Sequence, residues 1–65
     1  MQIILNGQTR QTHSQTIGEL LREIQFAPVG LAVALNQSVV RRADLETRAL
    51  QDGDQIEIIR AVQGG

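Results

Sequence analysis

The sequence predicts a small α+β roll, in which one helix packs across a mixed sheet of four to five strands. Three observations predict it: a hairpin at the start of the chain, one amphipathic helix after it, and alternating apolar segments in the rest of the chain. The chain has 65 residues, of which 42% are hydrophobic, so we expect one small domain. We place this domain at residues 1–62 and expect residues 63–65 to form a flexible tail.

The first thirteen residues are typical of a β-hairpin. Ile3 and Leu5 alternate with polar residues, which is the period of a half-buried strand. The pair Asn6-Gly7 is a strong hairpin-turn signal, because both residues tolerate a positive φ. The returning segment is polar, so it is predicted to be an edge strand.

A helix is predicted from Ile17 to Gln25. Thr16 and Glu19 have the spacing of a capping box, in which the Thr16 hydroxyl accepts from the Glu19 N–H and the Glu19 carboxylate accepts from the Thr16 N–H. Pro28 and Gly30 are expected to close the segment. The apolar positions form one stripe on this helix: Ile17, Leu20, Leu21 and Ile24.

A second pair of strands is predicted after the helix. Large apolar residues alternate with alanines over residues 31–36, so the large side chains are expected to face the helix and the alanines to face outward. Asn36-Gln37-Ser38 is expected to turn the chain into a short strand at Val39-Val40. Residues 41–47 are expected to be irregular or one helical turn, anchored by Leu45.

The last predicted strand spans residues 55–60 and follows a second tight turn, Asp52-Gly53-Asp54. Ile56 and Ile58 alternate with polar residues, so both are expected to point inward.

The composition excludes several classes of function. Six arginines and seven acidic residues are spread along the chain and give a net charge of −1, so nucleic acid is not an expected partner. We find no apolar window long enough to span a membrane and no secretory signal, and we therefore expect a cytoplasmic protein. Without cysteine, the chain has no disulfide, thiolate metal site or cysteine nucleophile.

No constellation of residues predicts catalysis. His13 is the single histidine and has no serine or acid at a recognised spacing, so a surface histidine is predicted. Asp52 and Asp54 could together bind a cation, but turn chemistry explains both, and the further ligands of a calcium loop are missing. We therefore predict no catalytic residue, no metal site and a protein that is not an enzyme.

The sequence ends in Gly64-Gly65, a few positions after the last predicted strand. Glycines lack a Cβ and extend by about 3.3–3.6 Å per residue, so such a tail could enter a narrow channel and present the Gly65 carboxylate to another protein's nucleotide site. A carboxylate reacts with nucleophiles only after activation, for example as an acyl-adenylate. Taken alone, a terminal Gly-Gly is also typical of a frayed end.

In combination, the order of elements, the Asp52-Gly53-Asp54 turn and the terminal glycines resemble the ubiquitin-like β-grasp sulfur carriers. Over the whole chain the closer resemblance is to the ThiS family of thiamine-biosynthesis carriers. The other matching segments are Met1-Gln2-Ile3, Asn6-Gly7, Thr16-Ile17, Leu20-Leu21, Val33-Ala34-Leu35-Asn36 and Val39-Val40 with Arg42. The related MoaD carriers share the turn and the Gly-Gly end but are usually longer. Arg41 departs from the ThiS pattern, because a proline is common at this position, and the aromatic residue that often follows is absent.

The resemblance implies a β-grasp fold and a carrier function. An E1-like adenylyltransferase of the ThiF type would use ATP to adenylylate the Gly65 carboxylate, and Gly64 would let the tail enter the enzyme. Sulfur from a cysteine-desulfurase persulfide would then leave a Gly65 thiocarboxylate. A thiazole synthase of the ThiG type would take this sulfur for the thiazole of thiamine. No cofactor is expected to be bound to the carrier itself.

Docking to these enzymes is expected on the face of the sheet that points away from the helix. Ile4 and Ile59 are predicted to lie on this face near the outward alanines, and Val62 could add contacts. Three alternatives stay open: a MoaD-like sulfur donor for molybdopterin synthesis, a ubiquitin-like protein modifier, and a non-covalent ubiquitin-like adaptor.

Overall fold

The computed structural model of the chain describes residues 1–25 and 31–60. Its elements are β1 (Gln2–Leu5), β2 (Gln8–Gln11), α1 (Ile17–Glu23), β3 (Leu31–Leu35), β4 (Ser38–Val40), a 3-10 turn (Arg42–Asp44) and β5 (Gln55–Arg60). The strands form one five-stranded sheet in the order β2-β1-β5-β3-β4, and the apolar side of α1 packs against one face of it. The predicted β-grasp roll is confirmed. The predicted domain boundary after residue 62 lies outside the described residues.

The first hairpin forms around the predicted turn. Asn6 and Gly7 have φ values of 51° and 82°, and β1 pairs antiparallel with β2. All four residues of β2 are exposed, and β2 lies at the edge of the sheet as predicted. Asn6 also connects the turn to β5, because its side-chain oxygen accepts from the Ile58 N–H at 2.8 Å. The turn residue therefore holds the hairpin against a strand 52 positions away.

The central strand is β5. It pairs parallel with β1, where Ile4 lies opposite Gln55, and antiparallel with β3, where Leu31 lies opposite Arg60. Ile56 is fully buried and Ile58 packs against the core, so both point inward as predicted. The strand is thus paired on both sides at its start, and residues 57–60 pair with β3 alone.

The helix is shorter than predicted. It ends at Glu23, and Gln25, which was predicted to be helical, has a φ of 64°. This left-handed conformation is incompatible with a right-handed helix, so the turn at residues 24–25 stops α1. Pro28 and Gly30, which were expected to close the segment, lie outside the described residues.

The predicted cap of α1 is half confirmed. The Thr16 hydroxyl accepts from the Glu19 N–H at 3.1 Å, as predicted. The Glu19 carboxylate instead accepts from the N–H of Gln15, at 2.8 Å, so its predicted partner Thr16 was wrong. Backbone hydrogen bonds of Ile17 with residue 48 and of Gln15 with residue 50 flank Thr16, which is extended, and in this arrangement the Gln15 N–H meets the carboxylate.

The core lies between α1 and the sheet. Leu45 is buried, as expected for the anchor of the segment after β4, and in β3 Val33 and Leu35 are buried while the alanines face outward. Among the described residues, the buried apolar cluster comprises Ile3, Ile17, Leu20, Leu21, Val33, Leu35, Val40, Leu45, Leu50 and Ile56. In the described part of the chain, no helix has the length and apolar character that crossing a bilayer requires.

The second hairpin has a two-residue turn instead of the three residues predicted. Ser38 already pairs with Leu35 in the sheet, and the turn consists of Asn36 and Gln37 with φ values of 51° and 72°. Positive φ at both positions is the geometry that asparagine followed by glycine adopts most readily. The two hairpin turns therefore differ at their second position, which is Gly7 in the first and Gln37 in the second.

We expect Gln37→Gly to stabilise the protein by about 0.5–1 kcal/mol. Glycine removes the steric cost of a left-handed glutamine, about 1–2 kcal/mol, and adds about 0.5–1 kcal/mol of chain entropy to the unfolded state. Urea unfolding of the variant and the wild type measures the difference. Gly7→Ala is the matched control and should destabilise the first hairpin, because Gly7 has a φ of 82°. A less stable Gln37→Gly variant would contradict the explanation.

Candidate functional site

The sheet has an open face, which we define as the strand residues that point away from α1. The register places the following residues there: Gln2, Ile4, Thr9, Gln11, Ala32, Ala34, Val39, Gln55, Glu57 and Ile59. Their alternates along each strand point to the helix side and supply the buried or partly buried apolar positions of the sheet. The open face is therefore the candidate surface for docking.

Both predicted docking residues of the sheet lie on the open face, but they are not neighbours. Ile59 is 57% exposed and lies opposite Ala32. Ile4 is half-buried and lies opposite Gln55, four positions before Ile59 on β5. At about 3.3 Å per residue, Gln55, which marks the position of Ile4 along β5, lies about 13 Å from Ile59. The part that these isoleucines play in docking stays a prediction.

Val39 is a surface residue that the sequence did not predict. Its side chain is 76% exposed and lies opposite Ala34, next to the row that contains Glu57. Val40, the next residue, is buried. Adjacent strand residues point to opposite faces, so one of the two valines had to face outward, but two identical residues give no signal as to which one.

Glu57 lies in the middle of the open face. Ala34 is opposite it on β3, and Ile59 follows it on the same side of β5. Glu57 and Ala34, together with Ile4 and Gln55, border a shallow concavity of about 490 Å³ between the two hairpin turns. Among the open-face residues named above, Glu57 is the one that carries a charge.

The predicted reactive end follows directly from β5. Arg60 pairs with Leu31 at the end of the strand, and five residues follow it in the sequence. The predicted site residues Val62, Gly64 and Gly65 lie outside the described residues, so their roles stay predictions. Covalent geometry limits the span of residues 61–65 to about 18 Å.

On the opposite side of the sheet, a polar cluster joins the β2 end to α1. The Glu23 carboxylate accepts from the hydroxyls of Thr12 and Ser14, the latter at 2.7 Å, and from Arg10 at 3.4 Å. These donors, Thr12 first and then Ser14, hold the pKa of the Glu23 carboxyl below its usual value against the opposing effect of burial. His13 is exposed, as predicted. Because the Ser14 hydroxyl donates to the Glu23 carboxylate, its role is to stabilise the contact between α1 and the segment after β2.

We expect Glu23→Gln to lower the free energy of unfolding at pH 7 by about 1 kcal/mol. Hydrogen bonds to a charged acceptor contribute more than those to a neutral one. The loss is limited because this site is partly exposed to solvent. The lowered pKa of Glu23 means that its contribution is complete above the usual carboxyl value of 4.5 and is lost as the pH falls through the folded-state pKa. Urea unfolding at pH 7 and at about pH 3 measures this loss. An equal difference at both pH values would contradict it.

The Asp52-Gly53-Asp54 turn is held by hydrogen bonds. The Asp52 carboxylate accepts from the Gln2 N–H at 2.8 Å, and the Gly53 N–H donates to the Gln2 carbonyl at 2.7 Å. Asp54 is buried and accepts from the Gln51 N–H at 2.7 Å and from the Asn36 side-chain amide at 3.0 Å. In residues 1–25 and 31–60, no three His, Cys, Asp or Glu side chains are grouped to hold a metal ion.

Comparisons with known proteins agree with this architecture. The model of the ThiS family matches residues 3–65. The chain is 39% identical to the sulfur carrier protein ThiS of Escherichia coli over the full length of both proteins. It is 36% identical to the sulfur carrier protein ThiS of Thermus thermophilus, covering 94% of this chain and 95% of that protein.

A larger protein and a solved structure are also similar to the chain. A thiazole synthase of Magnetococcus marinus is 39% identical over all of this chain, which covers 20% of that protein. The crystal structure of the thiamine biosynthesis protein ThiS from Geobacter metallireducens superposes with a TM-score of 0.86, at 26% identity and with both chains fully covered. Given the family match over 63 residues and these full-length relatives, the chain belongs to the ThiS family.

Proposed function

We propose that this protein is a sulfur carrier for the synthesis of the thiazole of thiamine, and that the Gly65 carboxylate carries the sulfur. The observation that carries the proposal is full-length similarity to sulfur carrier proteins, in a family match that includes Gly64 and Gly65. The MoaD-like alternative is less well supported, because the relatives named above are ThiS proteins and a thiazole synthase.

The proposed reaction begins with activation by an E1-like adenylyltransferase of the ThiF type. A Gly65 carboxylate oxygen attacks the α-phosphorus of ATP, and pyrophosphate leaves. A persulfide formed by a cysteine desulfurase then attacks the acyl carbon, and AMP leaves. A thiol reduces the resulting acyl disulfide and releases the thiocarboxylate. The partner enzymes supply the catalytic groups, and the carrier is their substrate. The need for ATP and a persulfide donor is met in the cytoplasm, where we place the reaction.

The geometry of β5 supports this role. The strand pairs with β1 at Gln55 and Ile56 and with β3 as far as Arg60, so the tail leaves from a residue that is hydrogen-bonded into the sheet through β3. The core residues named above all lie between positions 3 and 56. Gly64 and Gly65 have no side chains, so we expect them to add no apolar burial to that core and to be available to a partner.

The proposed sulfur acceptor is a thiazole synthase of the ThiG type. A region similar to this chain forms one fifth of two thiazole synthases, those of Magnetococcus marinus and Paramagnetospirillum magneticum. A carrier and its acceptor within one polypeptide would work at high effective concentration. This pairing supports the same acceptor for the separate carrier.

The test is intact-mass spectrometry of the carrier after incubation with a ThiF-type enzyme, ATP and a cysteine desulfurase with its substrate. We expect the mass to rise by the difference between sulfur and oxygen, and the product to support thiazole formation by a ThiG-type synthase. Conjugates to other proteins would favour a protein modifier. Sulfur transfer to a molybdopterin synthase, but not to thiazole synthase, would favour the MoaD-like role. An unchanged mass would favour an adaptor.

A further inference from the structure

We propose that Glu57 determines which activating enzyme this carrier accepts, by pairing with an arginine or lysine of the adenylyltransferase that docks on the open face. The inference rests on the proposed function, because it concerns the enzyme that would activate Gly65. Three observations support it: Glu57 is charged, its neighbour Ala34 is small, and Glu57 lies near the end of β5.

The surroundings of Glu57 leave room for a cationic side chain. Ala34 lies opposite it and is small, and the concavity of about 490 Å³ opens beside both residues. The aliphatic stem of a lysine or arginine could lie over Ala34 while its charged end meets the Glu57 carboxylate. The three ion pairs between described residues use other carboxylates, those of Glu23, Asp44 and Glu46.

The position of Glu57 relative to the tail points to the activating enzyme. An enzyme that holds Gly65 in its nucleotide site must lie within about 18 Å of the end of β5, because five residues span no more than this. A site that binds the phosphates of ATP is electropositive, so its surroundings attract acidic groups. Glu57 is three residues from Arg60 and is charged oppositely to such a surface.

The position of the charge also explains why it would select between enzymes. Docking on the open face would remove water from Glu57, since the residue lies in the middle of that face, next to Ala34 and Ile59. A carboxylate that loses water without gaining a partner is strongly unfavourable. An enzyme that lacks the cation would therefore bind weakly even if the rest of its surface fits.

The experiment compares the binding of the ThiF-type adenylyltransferase to the wild-type carrier, Glu57→Gln and Glu57→Lys at low and high salt. We expect Glu57→Gln to weaken binding about tenfold and Glu57→Lys about a hundredfold. The salt dependence of the affinity should be smaller for Glu57→Gln. Glu46→Gln is the matched control, because Glu46 is exposed, pairs with Arg22 of α1 and makes the same change in net charge. It should bind within about twofold of the wild type.

Each outcome decides one question. Unchanged affinity of Glu57→Lys, with wild-type melting temperature, overturns the role of Glu57 and leaves the proposed function standing. Normal adenylylation of Glu57→Lys with failed sulfur transfer to thiazole synthase also overturns the role of Glu57 in activation. The thiazole synthase would then be the enzyme that binds the Glu57 carboxylate. Recovery of Glu57→Lys binding by an enzyme variant with an acidic residue in place of one cation confirms it. A wild-type carrier that is never adenylylated overturns the proposed function itself.

Discussion

A chain that lacks Gly65 should form no thiocarboxylate, while its melting temperature stays that of the full chain. The truncated chain still ends in a carboxylate, that of Gly64, but this group falls short by one residue, about 3.3–3.6 Å. A displacement of about 1 Å at a reacting centre can cost a hundredfold in rate, so a full residue should abolish adenylylation. Intact mass after the ThiF-type reaction measures the product, and thermal unfolding measures stability.

The melting temperature should not change because glycine has no side chain, so the loss of Gly65 removes no apolar side chain that could be buried. Gly64→Val is the companion variant: it keeps the length and adds bulk next to the reacting group, and we expect it to block activation. Gly64→Ala adds one methyl group and should fall between this variant and the wild type. Thiocarboxylate on the truncated chain, or normal adenylylation of Gly64→Val, would contradict the proposal that a slim tail enters the nucleotide site.

Asp54→Ala should produce the largest loss of stability that we predict, about 2–3 kcal/mol. The change leaves the Gln51 N–H and the Asn36 side-chain amide without the carboxylate that accepts from them at 2.7 Å and 3.0 Å. Both hydrogen bonds are partly buried and have a charged acceptor, and such bonds contribute about 1.5–3 kcal/mol. For a domain of this size the melting temperature should fall by roughly 10–20 °C.

Asp52→Ala is the matched control for Asp54→Ala. Asp52 is exposed and accepts one hydrogen bond, from the Gln2 N–H, so its loss should cost about 1 kcal/mol or less. Calcium and a chelator should leave the melting temperature of the wild type unchanged, since both carboxylates serve as hydrogen-bond acceptors in the fold. Equal damage from the two variants, or stabilisation by calcium, would contradict the structural explanation of the Asp52-Gly53-Asp54 turn.

Much of the local structure could be predicted because it depends on neighbours within a few residues. The chain turns at Asn6-Gly7 because these two residue types tolerate the positive φ values of the turn, and the Thr16 hydroxyl caps α1. The end of α1 could not be predicted in the same way. Gln25 has no strong preference for a left-handed conformation, so nothing in its residue type signalled the two-residue error.

The candidate site could be predicted only where it depends on local alternation along a strand. Alternation along β5 correctly placed Ile59 outward, but the distance of Ile4 from Ile59 depends on the register between β1 and β5. That register also places Glu57 between them. Val39 was missed because its two-residue apolar segment was too short to show a period.

By itself, the sequence determined the type of each element, its buried side and the resemblance to a sulfur carrier, since these depend on local backbone preferences and on a repeat of apolar residues. The tertiary structure alone decided the strand order, the contact of Asn6 with Ile58 and the contact of Asn36 with Asp54. These hydrogen bonds join residues 52 and 18 positions apart. Such partners meet only when the whole sheet closes, because no local preference brings distant segments into one register.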